Sequence, residues 1–140
     1  MDISEDIVTR KYSGMSFDEV LEYLVQEVKD RNYLITHISN IDNIHKRKNG
    51  DDTKNLKFKL YKIVEFCNLE SCSQLISTNL KAGVFMPAKF AVYQSDNQKQ
   101  VFISFLKPTA FSSIFNSEEM TIIAEKLEKD MYEILDEIIF

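Results

Sequence analysis

A chain of 140 residues, with 44% hydrophobic and 28% charged residues but 3 Gly and 2 Pro, suits one globular domain and leaves little for disordered linkers. Its 22 acidic against 17 basic residues leave a net charge of −5, which argues against a nucleic-acid partner, since phosphate binding relies on Lys and Arg displacing counterions. No apolar run approaches the roughly 20 residues of a membrane span, Met1 to Ile7 lacks the features of a signal peptide, and two cysteines are too few for a secreted framework. The expectation is a single cytoplasmic domain over residues 1–140, with both cysteines reduced and no membrane partner.

Ile7 to Tyr12 is read as a first strand ended by Ser13-Gly14, and Ser16-Phe-Asp-Glu19 has the form of a capping box opening a helix. Phe17, Val20, Leu21, Leu24, Val25 and Val28 recur at helical spacing, so this helix, ending near Asn32, carries one apolar stripe. Tyr33 to Ile38 follows as a strand. Strict alternation places Leu34, Thr36 and Ile38 on one side and Tyr33, Ile35 and His37 on the other. Asp42 to Asn55 is the most polar stretch. Its basic run His45-Lys-Arg-Lys48, followed by Asn49-Gly50-Asp51-Asp52, is read as a solvated loop with an Asn-Gly turn, after a short helical turn at Ile41 to Lys46.

Leu56 to Phe66 is a long strand with Phe58, Leu60, Val64 and Phe66 on one face and Tyr61 and Ile63 on the other. Asn68 then supplies an N-cap oxygen for a helix from Leu69 to about Thr78, with Asn79 to Gly83 as its exit. Phe90 to Tyr93 is a further strand, Ser95-Asp-Asn-Gln98 its turn, and Val101 to Leu106 the hairpin partner, ended by Pro108. A connector holding Phe111, Ile114 and Phe115 leads to Ser117, the cap of a last helix reaching about Ile138. Met120, Ile123, Ala124, Leu127, Met131, Ile134, Leu135 and Ile138 give that helix an apolar stripe some 30 Å long at 1.5 Å per residue.

The order β-α-β-β-α-β-β-α predicts an α+β two-layer sandwich, a mainly antiparallel sheet with helices on one face. Phe17, Leu21, Leu24, Val28, Phe58, Leu60, Val64, Phe66, Ile123, Leu127, Met131 and Leu135 are expected in one core. The strands carry a second, outward face with Tyr33, Ile35, His37, Tyr61, Ile63 and Tyr93, joined by Val101, Ile103 and Phe105 or their alternates. So apolar a face is seldom left wet, which points to a homodimer partner, another protein or an apolar small ligand.

Tyr61-Lys-Ile-Val-Glu-Phe-Cys-Asn68, a short helix, and then Gly83-Val-Phe-Met-Pro87 leading into a strand resemble the prokaryotic family catalogued as domain of unknown function 302. The resemblance runs from about Lys11 to the final helix. It implies a TATA-binding-protein-like two-layer fold, often dimeric, with no settled activity. It also implies a Pro after the Cys-Asn pair and a second Cys just after the Met-Pro pair, positions occupied here by Leu69 and Ala88. The family's binding residues therefore carry over only to Cys67, Asn68 and Pro87.

Cys67 admits two readings. As a thiol at a helix start it gains thiolate character from the free amides, as redox or sulfur handling requires. As residue N′, with Cys72 at N4, it forms a hydrophobic staple fixing the chain's entry into the helix, and this structural reading is preferred. His37 and His45 have no Cys, His or acid at a recurring ligand spacing, so no metal or other cofactor is expected. No catalytic constellation is complete. The sequence points to a non-catalytic binding or assembly module, with a cysteine-dependent activity at Cys67 as the alternative.

Overall fold

Five strands, β1 (Ile7–Tyr12), β2 (Leu34–Asn40), β3 (Phe58–Cys67), β4 (Ala88–Ser95) and β5 (Val101–Leu106), form one antiparallel sheet in the order β1-β5-β4-β3-β2. Strands β2 to β5 form a meander, and the amino-terminal strand adds to the free edge of β5. Among the described residues the four longer helices are α1 (Phe17–Asp30), α2 (Leu69–Thr78), α3 (Pro108–Phe115) and α4 (Glu118–Asp136). This computed structural model describes residues 2–47, 56–96 and 99–138; Lys48 with the Asn49-Gly50 turn, and the Asn97 and Gln98 part of the hairpin turn, lie outside them. The α+β architecture is the one predicted.

Local chemistry sets the helix starts. Ser16 accepts from the Glu19 amide at 3.1 Å while Glu19 returns a bond from the Ser16 amide at 3.2 Å, completing the capping box. Ser117 caps α4 by accepting from the Met120 amide. The stretch after β5, read as a connector, is helix α3: Pro108 both ends the strand and occupies the first helical turn, where its missing N–H costs nothing. The Lys107 cap has no side-chain bond, so neither a Ser nor an Asp marks the start.

Helices α1 and α4 pack on one face of the sheet. Val64, Phe66, Phe90, Val92, Val101, Ile103 and Phe105 face Phe17, Val20, Leu24 and Val28 of α1 and Met131, Ile134 and Leu135 of α4. Phe66 and Phe90 are fully buried and stack at 5.2 Å; burying each contributes roughly 1.5 to 3 kcal/mol. Leu21, Leu60 and Leu127 are partly buried against the same cluster, as expected. Ile123 is a correction: it packs in a second cluster with Leu75, Ala82, Phe111 and Met120, built between α2, α3 and α4.

Two bulges correct the strand faces. Between Phe58 and Leu60 the β3 chain spends two residues against one step of β4, leaving Lys59 as the extra residue. Phe58 is thereby turned out of the core, and its ring packs edge-on against Tyr61 at 5.6 Å. In β2 the same happens at Thr36: Ile35 pairs with Phe66 and Ile38 with Val64, so both isoleucines point at the helices. Ile35 therefore leaves the outward set. Tyr33 leaves it too, since it packs against the core, meets Phe66 edge-on at 5.3 Å and donates its hydroxyl to Asp130 of α4 at 2.6 Å.

Candidate functional site

The junction of β3 and α2 is built by Asn68. Its side chain accepts from the Ser71 amide at 3.1 Å, and its backbone carbonyl accepts from the Cys72 amide at 2.8 Å. That turn puts Cys67 one residue before the cap and Cys72 in the first turn of the helix, with their sulfurs 2.8 Å apart. Both are free and partly buried. Burial, then the hydrogen bond and charge of Cys67, push the Cys72 thiol up to about 12.

The two thiols lie in the wall of a cleft of about 220 Å³, closed by Tyr33 and Phe66 on one side, Met86 and Ala88 on another, and Ile123 and Leu127 of α4. Tyr33 is held neutral: burial first, then its bond to Asp130, raises its phenol. Cys67 and Asn68 both line this cleft, but Pro87 does not. Pro87 follows a cis peptide and faces a separate hollow beside Val84, Phe85 and Phe111. Ala88, the position at which the resemblance would place a second cysteine, does line the cleft. The α4 residues of the wall were not singled out as site residues, because the crossing of α4 over the β3 end sets their place.

The outward face keeps His37, Tyr61, Ile63 and Tyr93 from the sequence reading. His37 stands opposite Glu65, Tyr61 opposite Tyr93, and Ile63 opposite Ala91, all out of step with the buried Val64 and Phe66. Tyr61 stacks on Tyr93 at 5.3 Å with planes 12° apart, and Tyr93 on Phe102 of β5 at 5.8 Å and 18°. With Phe58 this makes an aromatic row across three strands, and His45 packs against its Phe58 end. Of the alternates on β5, Phe102 and Ser104 face outward, while Val101, Ile103 and Phe105 are buried under the helices. Tyr93 and Thr9 both bond Ser104, at 2.6 and 2.8 Å. Burial, then neighbouring Tyr93, raises the Tyr61 phenol. Neither buried cluster includes Tyr61, Ile63, Ala91, Tyr93 or Phe102.

Elsewhere, Asp42 is buried at the edge of β3, where it accepts from the Tyr61 amide and from Lys62, both at 3.1 Å. His45 bonds the Phe58 carbonyl at 3.0 Å. Among the described residues no three His, Cys, Asp or Glu side chains cluster as metal ligands, and no helix is long and apolar enough to cross a membrane.

Residues 8–138 match the family model described as "Domain of unknown function DUF302". Among solved structures the chain is similar to the crystal structure of an uncharacterized conserved protein DUF302 from Bacillus stearothermophilus. The two are 25% identical, the match covers 94% of this chain and 97% of that one, and the TM-score is 0.79. No curated protein matches the chain.

Proposed function

The chain belongs to the DUF302 family, and on that premise we propose that it is a non-catalytic binding or assembly module that pairs with a second copy of itself through the outward face of the sheet. The observation that carries this reading is the stacked row of Phe58, Tyr61, Tyr93 and Phe102 on the face turned away from both buried clusters. Aromatic rings of this kind are what interface centres are enriched in, because each buries a large rigid surface at little conformational cost. A second copy suits the face: Glu65 and Lys89 stand opposite each other beside the row, so a twofold contact meets both charge signs as well as its own ring stack. Two cysteines are too few for the disulfide framework of a secreted domain, which suits a reducing compartment, and the cytoplasm is the proposed location.

Tyr93→Lys puts a charge at the centre of the row without touching the core. Light scattering at about 10 to 50 µM, a range that populates a micromolar dimer, should give twice the chain mass for the native protein and the single mass for the variant. Circular dichroism should be the same for both. A native monomer in that range, or a variant that stays dimeric, contradicts the reading.

A further inference from the structure

We propose that Cys67 and Cys72 form a thiol–disulfide exchange site for low-molecular-weight disulfides, in which Cys67 attacks and Cys72 resolves. Three features of the junction carry this. The sulfurs are 2.8 Å apart, so a covalent S–S bond of about 2.05 Å requires them to close by under about 1 Å. Both thiols open into the same cleft, so an incoming disulfide meets them together. Asn68 and Lys126 also line that partly open cleft, so a small disulfide with amide and carboxylate groups meets an amide and a cation beside the thiols.

The chemistry balances with the small disulfide as oxidant. The Cys67 thiolate attacks one sulfur of R–S–S–R, forming a mixed disulfide and expelling RS⁻, which takes a proton from water. Cys72 then gives its proton to water, and its sulfur attacks the Cys67 sulfur, forming the internal disulfide and releasing a second RS⁻, which is protonated from water in turn. Two electrons pass from the protein to the small disulfide, leaving two RSH. The order of attack follows from the surroundings. Cys67 ends β3 just before the helix cap, whereas Cys72 sits inside the first turn of α2, where burial raises its thiol, so the first attack is assigned to Cys67. Once Cys67 is bonded to the incoming sulfur its charge is gone, and that contribution to holding the Cys72 proton goes with it.

The test is intact mass after equilibrating the reduced native protein in buffers of rising oxidised to reduced glutathione. The native chain should lose two hydrogens and accumulate no adduct. Cys72→Ser should trap one glutathione on Cys67, and Cys67→Ser should form an adduct about tenfold more slowly. Where a serine variant loses its fold by circular dichroism, the alanine variant takes its place. The proposal is overturned if the native chain keeps both thiols in buffers that oxidise the urea-unfolded chain, if Cys72→Ser carries no adduct, or if Cys72 is modified as fast as Cys67.

Discussion

Tyr12 is 8% exposed and donates its hydroxyl to the Leu135 carbonyl at 2.8 Å, fastening β1 to the end of α4. Burial first, partly offset by Arg10 and reinforced by Asp136, raises its pKa to about 12. The fold thus prefers the neutral phenol, and this contribution is complete below the ordinary value of about 10 and lost as pH rises through about 12. Urea unfolding across that window should show stability falling by about 2 kcal/mol from this residue. Tyr12→Phe should cost about 1 kcal/mol at neutral pH and flatten the fall. An unchanged alkaline slope in the variant would show that Tyr12 is not its source. Cys67→Ser should cost on the order of 1 kcal/mol by drawing the shorter hydroxyl away from the Cys72 sulfur it now bonds, read by the same denaturation. At this scale the sequence was informative about Asn68, whose capping of α2 follows from adjacent residues. It misplaced Tyr33 and Ile35, because the extra residue at Thr36 breaks an alternation that the letters themselves do not interrupt.

Each strand has a face whose loss should be costly and one whose loss should be cheap. Phe66→Ala empties a fully buried site between Tyr33 and Phe90 and should cost about 3 to 5 kcal/mol. Ile63→Ala, three residues away but on the outward face, should cost under about 1 kcal/mol in the monomer. Thermal unfolding of the pair checks the facing, and similar losses would contradict it. Ser117→Ala should cost about 1 kcal/mol by freeing the Met120 amide. Helix starts with a Ser or Asn cap were legible from sequence, because the cap oxygen and its target amide lie three residues apart. Helix α3 was not. Its proline gives the same signal for ending a strand as for opening a helix, and part of its start is held from afar by Glu128 of α4, which accepts from the Thr109 amide and hydroxyl.

As a whole, the molecule is a five-stranded sheet with helices over one face and an aromatic row on the other. The helical layer was legible because the stripes of α1 and α4 demand a sheet to cover. The cleft beside Cys67 was legible from one wall alone: β3 and α2 are neighbours in sequence, whereas Ile123 and Leu127 arrive from more than 50 positions away. The outward face was legible in its β3 and β4 members, Tyr61, Ile63 and Tyr93, since no bulge falls between Leu60 and Phe66. What that face meets is the central claim, and sedimentation equilibrium of the unmodified protein at about 10 to 50 µM tests it most directly. Pairing through the aromatic row predicts twice the chain mass, returning to the single mass on dilution and in Tyr93→Lys. A single mass throughout that range would contradict it.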